Sequence, residues 1–334
     1  MISKFLSNKL NAKKTFLLVF CIIIIACLAF NPTKYISICL NGILIFGKNL
    51  LPAMLPFIFF TKLLTSTGYI ERFSKSLSPL TSKLYNSPAI SSYIFLMSIL
   101  SGYPMGAKIT ADLYSEGLIS RDEAHRICSF TSNSGPMFII GTVGCGMLFS
   151  KSAGYIILIS HIISALLNGL IYRKYKPKKI SFELEKNIIN KGQTTDQKLS
   201  SLMENSILSV LLIGGYVAVF FVITEVLSSL NIFSPIITIV SKFGVDPNLS
   251  KGLINGIFEI TNGCKTLSLA NVSLKAKTVA SSFIISFGGL AVAFQGLSFL
   301  DKFRISKGFF FLQKLTQAII STILTIFLCL IIPL

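Results

Sequence analysis

The sequence predicts an all-α polytopic membrane protein built from two inverted-topology repeats, each with a re-entrant hairpin and a discontinuous helix. Three observations predict it. Of the 334 residues, 52% are hydrophobic and only 13% charged, and the mean hydropathy is +0.72, outside the range of a soluble domain of this size. The basic residues gather at the ends of apolar runs. Two glycine-interrupted motifs, Ser101-Gly102-Tyr103-Pro104-Met105-Gly106-Ala107-Lys108 and Asn262-Gly263-Cys264-Lys265, break apolar segments about half a chain apart, and such a pair in the two halves of a membrane protein points to a solute site.

Apolar runs occupy 16–30, 43–64, 93–100, 137–149, 155–171, 207–230, 279–300 and 309–334. A helix needs about 20 apolar residues to cross roughly 30 Å of hydrocarbon, so the longer runs span and the shorter ones need protein around their polar flanks. The net charge of +18 comes largely from clusters beside these runs: Lys4, Lys9, Lys13 and Lys14; Arg72, Lys75 and Lys83; Arg173, Lys174, Lys176, Lys178 and Lys179; Lys302, Arg304 and Lys307. The positive-inside rule puts all four clusters in the cytoplasm. Because they do not form a patch on one soluble segment, a nucleic-acid partner is excluded and the lipid bilayer is the expected one. Ile24-Ile25-Ala26-Cys27 looks like a lipoprotein cleavage site, but the run continues through Leu28-Ala29-Phe30 to an Asn31-Pro32 stop, so the first run is read as a retained anchor. The seven cysteines show neither CxxC nor Cys/His spacing, which leaves a disulfide framework or a metal site unsupported.

Counting crossings places the hairpins. With the N-terminus inside, the first run exits, Asn31 to Ser37 lies outside, and the second run returns to the basic segment at Arg72. An even number of crossings must connect that segment to the cluster at Arg173. Two spans, 134–149 and 153–171, satisfy the count, and 93–110 then enters and leaves on one side with its turn at Ser101 to Gly106. Bare backbone amides in lipid cost several kcal/mol each, so such a turn must be buried in protein or face a watery cavity. Ser120 and Glu123 have capping-box spacing and start a helix at Arg121 that runs to about Thr131. Ser132-Asn133-Ser134-Gly135-Pro136 interrupts it before Met137 resumes an apolar stretch.

The polar segment after Arg173 reads as a linker between halves, giving an N-terminal anchor at 1–35, a first repeat at 36–172, a cytoplasmic linker at 173–203 and a second repeat at 204–334. Gly106-Ala107-Lys108 parallels Gly263-Cys264-Lys265, and Ser134-Gly135-Pro136 parallels Gly288-Gly289-Leu290, in the same order at nearly constant offset. Three spans plus a hairpin per half is an odd number of crossings, so the second half is expected to be inverted. Lys275 and Lys277 would then lie outside, against the charge rule.

Polar residues within apolar segments are functional candidates. At the first turn these are Ser101, Gly102, Tyr103, Gly106 and Lys108; at the first helix break, Asn133, Ser134 and Gly135; at the second turn, Glu259, Asn262, Gly263 and Lys265; at the second break, Ser286, Gly289 and Gln295. Lys108 and Lys265 either attract an anionic solute or anchor helix ends at the interface. Glu259 either binds a coupling ion or proton, or pairs with Lys265. Open amides at half-helix N-termini bind carboxylates or phosphates. Thr61, Lys62, Thr224 and Glu225 read as interfacial, His161 as an interhelical hydrogen bonder, and Asp112, Asp122, Glu123 and His125 as solvated. Neither a P-loop nor a Rossmann glycine pattern occurs, and no set of catalytic side chains is spaced for reaction, so neither a cofactor, a catalytic residue nor an enzymatic activity is expected.

Gly102-Tyr103-Pro104-Met105-Gly106-Ala107-Lys108, Asp112-Leu113-Tyr114, and Phe130 followed by Ser132-Asn133-Ser134-Gly135-Pro136-Met137-Phe138-Ile139-Ile140-Gly141 closely resemble the sporulation integral membrane protein YlbJ family, which carries the nucleoside-recognition (Gate) domain. The resemblance runs across nearly the whole chain. It implies a fold similar to concentrative nucleoside transporters and a multipass protein acting late in sporulation, in the mother-cell-derived membrane around the forespore. It further implies transport of a small organic anion, foremost dipicolinic acid, from the mother cell toward the forespore. A nucleoside or another small solute, a scaffold for spore-envelope assembly, and a homo-oligomer stay open. Iron is disfavoured because the chain lacks a dense Cys/His/Asp/Glu cluster.

Overall fold

The computed structural model describes residues 12–176, 199–300 and 306–334. The expectations that rest on Lys4, Lys9, Lys178, Lys179, Lys302, Arg304 and the core of the linker lie outside the described residues. Among those described, the regular structure is helical throughout. Five stretches are long and apolar enough to cross a membrane: Pro32–Leu64, Lys151–Tyr172, Leu199–Ser229, Leu274–Leu300 and Lys307–Ile331. The chain is an all-α polytopic membrane protein.

The helices run α1 (Ala12–Phe30), α2 (Pro32–Ile45), α3 (Leu51–Ser66), α4 (Tyr69–Tyr85), α5 (Ser91–Ser101), α6 (Met105–Ser115), α7 (Arg121–Thr131), α8 (Met137–Cys145), α9 (Lys151–Tyr172), α10 (Leu199–Ser229), α11 (Ser234–Ser241), α12 (Pro247–Phe258), α13 (Ile260–Ser268), α14 (Leu274–Phe287), α15 (Gly289–Leu300) and α16 (Lys307–Ile331). A π-wound turn at Phe46–Leu50 joins α2 to α3 without a loop. The order of elements recurs in the two halves. A long span (α2–α3, then α10) is followed by a shorter helix (α4, then α11), a hairpin (α5–α6, then α12–α13), an interrupted helix (α7–α8, then α14–α15) and a final span (α9, then α16).

Burial follows the logic of a lipid-embedded bundle. On α9 the buried side chains include Ser160, His161, Ser164 and Asn168, while Ile159, Ile163, Leu167 and Ile171 are exposed. On α16 the buried set includes Gln313, Lys314, Gln317, Ser321 and Thr325, and Ile319, Ile323, Ile326 and Phe327 face out. Spacings of three and four put each polar set on one helix face, where protein partners replace the water that lipid does not offer. The two faces meet: Asn168 Nδ2 donates to the Gln313 carbonyl at 3.1 Å, and Thr316 Oγ1 donates to Asn168 Oδ1 at 2.6 Å. An apolar core that includes Leu50, Ile139, Val143, Val210, Cys264 and Ile284 draws on both halves.

The hairpin arms α5 and α6 have 11 residues each, about 16 Å of helix, half of what a crossing needs. The helix predicted from Arg121 to Thr131 is α7, with the capping box formed: Glu123 N donates to Ser120 Oγ at 3.3 Å and Ser120 N to Glu123 Oε2 at 2.7 Å. Asn31 to Ser37 is helical from Pro32, where a fixed φ and a missing N–H suit a first turn. One expectation needs correction. The run 134–149 is not a span of its own. It holds the nine-residue π-wound α8 and a turn, and reaches crossing length only together with α7.

Candidate functional site

Four backbone interruptions converge at the centre of the bundle. The tip of the first hairpin, 102–104, lies against the first helix break, 132–136. Gly102 has φ +71°, and a Cβ there would sit 2.8 Å from Gly135 N, so only glycine lets tip and break abut main chain to main chain. In the second half, Glu259 separates α12 from α13 in an extended conformation, φ −146° and ψ 121°. Gly288 and Gly289, both with positive φ, separate α14 from α15. A Cβ on Gly289 would lie 2.9 Å from the Gly256 carbonyl, which seats this break on the end of the second hairpin's first arm.

The interruptions leave backbone groups without helical partners, and side chains take up several of them. At the first break, Lys314 Nζ donates to the Ser132 carbonyl at 2.7 Å, to Tyr103 Oη at 2.8 Å and to Gln317 Oε1 at 2.9 Å. Its three N–H bonds are thereby used, and it also lies 4.9 Å from the centroid of the Tyr103 ring. Because an ammonium only donates, Gln317 must present oxygen to it and nitrogen to Asn133, whose Oδ1 accepts at 3.2 Å. Asn133 Nδ2 then donates to Ser98 Oγ at 3.0 Å and to the Phe130 carbonyl at 2.8 Å. Tyr103 Oη continues the chain to the Ile285 carbonyl at 3.3 Å.

His161 joins the two breaks. The Ser134 amide donates to Nε2 at 3.0 Å, so the ring proton sits on Nδ1, which faces Ser286 Oγ at 2.8 Å. At the second hairpin the chemistry is opposite to that at Lys314. The buried Glu259 carboxylate accepts from Thr261 N at 2.9 Å and Asn262 N at 2.6 Å, capping the open N-terminus of α13.

Two neighbouring cavities adjoin this centre. The larger, about 500 Å³, is lined by Lys62, Lys108, Asp112, Asn205, Ser209 and Ser101 among others. The smaller, about 50 Å³, is lined by Gly102, Tyr103, Ser134, Gly135, Glu259, Thr261 and Gln295 among others. Tyr103, Ile213, Tyr216 and Gln295 line both and stand between them. Lys62 Nζ donates to the Asn205 carbonyl at 2.6 Å and Ser209 Oγ at 2.9 Å, which holds the ammonium at the cavity wall.

Of the predicted residues, the structure brings Gly102, Tyr103, Ser134, Gly135, Glu259 and Gln295 together at the small pocket, and Ser101, Tyr103, Lys108 and Gln295 at the large one. The others line neither. Gly106 packs on the Thr131 carbonyl and Gly263 on Gly256. Asn133 and Ser286 are committed to the contacts above, Asn262 Nδ2 donates to Thr224 Oγ1 at 3.1 Å, and Gly289 serves the second break. Lys265 is exposed and makes no ion pair with Glu259 among the described residues. Asn262-Gly263-Cys264-Lys265 does not interrupt a helix, since α13 runs through it. The break falls three residues earlier, where the Glu259 side chain replaces the helical partners of the following amides. Lys62 is a cavity residue rather than an interfacial one. His125 is buried against Tyr175 and Phe309, with ring centroids 5.5 and 5.4 Å away, because α7 turns that face inward.

Lys314 and Gln317 escaped the sequence reading. The signal was present in Gln313-Lys314-Leu315-Thr316-Gln317, a polar cluster with spacings of three and four inside an apolar helix. Among the described residues, no group of three or more His, Cys, Asp or Glu side chains is placed to hold a metal ion.

Interrupted helices around a buried polar centre, with long spans outside, define a multi-pass membrane protein of the kind that encloses a solute-sized cavity within its bundle. The chain is 29% identical over 310 residues to the sporulation integral membrane protein YlbJ of Bacillus subtilis (strain 168), covering 86% of this chain and 76% of that protein. That similarity supports its assignment to the YlbJ family. No protein-family model and no solved structure matches it.

Proposed function

We propose that the protein is a secondary transporter or facilitator, not an enzyme, for a small organic anion during sporulation, with dipicolinate as the foremost solute, moved from the mother cell toward the forespore. The observation that carries this reading is the cavity of about 500 Å³ with Lys62 and Lys108 in its wall and the first hairpin tip at its inner end. Its volume falls in the range of small-molecule sites, and two ammonium groups beside Asp112 give it a net positive lining that suits a dianion. The pocket of about 50 Å³ beyond it has room for a few waters only, so the solute occupies the outer cavity and passage needs the hairpin tip to move. The recurring order of elements in the two halves supports an inverted-repeat mechanism in which one bundle rocks against the other. The similarity to the sporulation integral membrane protein of Bacillus subtilis supports the sporulation setting, and a mother-cell-derived membrane around the forespore is the compartment that goes with it.

The test is uptake of labelled dipicolinate and labelled nucleosides into proteoliposomes holding the purified chain, with and without proton and sodium gradients. Dipicolinate uptake above empty vesicles, reduced in Lys108→Ala at equal protein content, is the expected outcome. Uptake of nucleosides alone would move the solute assignment, and transport of neither would leave a scaffolding role as the better account.

A further inference from the structure

We propose that Lys314 is a built-in counter-cation filling an oxygen-lined site for a monovalent cation, where the first hairpin tip meets the first helix break. The acceptors around Nζ are a main-chain carbonyl at the end of α7, a phenolic oxygen and an amide oxygen, at 2.7, 2.8 and 2.9 Å. None of the three is a carboxylate. Neither Lys314 nor Glu259 takes part in an ion pair among the described residues, and the Glu259 oxygens are spent on α13.

A buried cation held by neutral oxygens alone is the arrangement by which carbonyl and hydroxyl groups replace the hydration shell of an alkali ion. The C-terminal end of α7 carries the negative pole of its dipole, so this junction calls for positive charge whatever supplies it. Gln317 is locked with its oxygen inward by the bond from its Nε2 to Asn133, and the Tyr103 ring adds its face to the cage. Covalent attachment keeps the site filled at any salt composition, so the position of the tip carrying Gly102 and Tyr103 does not depend on the alkali ions in the medium. This inference does not rest on which solute, if any, the protein moves.

The test uses the full chain in detergent micelles and reads amide hydrogen exchange at 102–105 in choline, sodium, potassium or ammonium chloride. The wild type should exchange at one rate in all four salts. Lys314→Ala empties the cage but keeps its oxygens. Its tip should exchange about tenfold faster or more in choline, and sodium, potassium or ammonium should recover at least about threefold of that loss. Lys314→Met keeps the side-chain volume without the charge and should exchange fast in every salt, which also decides the matter if Lys314→Ala fails to fold. The proposal is overturned by a Lys314→Ala tip indifferent to all small cations, by a Lys314→Met tip as protected as the wild type, or by a wild-type tip that loosens in choline.

Discussion

The first helix break and the tip of the second hairpin are both buried interruptions of helix, and they are satisfied by opposite charges. The first exposes the carbonyl end of α7, and the Lys314 ammonium from α16 fills it. The second exposes the amide end of α13, and the Glu259 carboxylate, next to it in sequence, fills that. A helix C-terminus attracts a cation and an N-terminus an anion, so the sign at each break follows from which helix end faces the centre. The difference lies in reach. Glu259 is a local cap, whereas Lys314 ties the first hairpin and first break to the last helix of the chain. The first break is therefore a tertiary joint and the second hairpin tip a largely self-contained one.

The largest expected effect is at the main-chain contact that lets the first joint form. Gly102→Val adds both a clash with Gly135 and a strained positive φ and should cost about 3 kcal/mol or more, seen as loss of folded, monodisperse protein on size exclusion. Lys314→Met comes next. Removing the ammonium orphans three buried acceptors and should lower stability by about 3 kcal/mol, whereas a thermal-melt loss no larger than that of Glu259→Gln would erase the distinction drawn between the joints. Glu259→Gln keeps one acceptor oxygen at the start of α13 and should cost about 1 kcal/mol, with faster amide exchange confined to α13. If exchange also rises at 102–105, the second hairpin tip is not self-contained.

The smallest effects separate the paired lysines. Lys108→Ala should leave the melting temperature unchanged and reduce anion uptake about tenfold, about 1.4 kcal/mol of lost binding. Lys265→Ala, on the exposed face of α13, should change neither. Equal uptake defects in the two variants would restore the symmetric role that their matched positions suggest.

Much of the architecture was legible because its signals are local. The capping box at Ser120 and Glu123 fixes the start of α7 through contacts three residues apart, and Gly102 marks a tip because no other residue tolerates its conformation beside Gly135. Glu259 shows the limit of that approach. Asn262-Gly263 looked like the turn, yet a carboxylate that caps two amides ends a helix as firmly as glycine does. The spacing between Gly102 and Glu259 equals that between Gly106 and Gly263, so the repeat alignment already held the correct tip.

By itself, then, the sequence determined that the chain is a helical membrane protein and where the first hairpin and the helix after it are interrupted, since hydropathy, caps and glycines act over a few residues. Only the tertiary structure decided which of those groups meet. Lys314 reaches Ser132 and Tyr103 across 182 and 211 residues of chain, and Lys62 is held at its cavity wall by Asn205 and Ser209 of α10, 143 and 147 residues away. A buried polar group takes whichever partner packing brings within hydrogen-bond distance in the absence of water, and no local spacing encodes that partner.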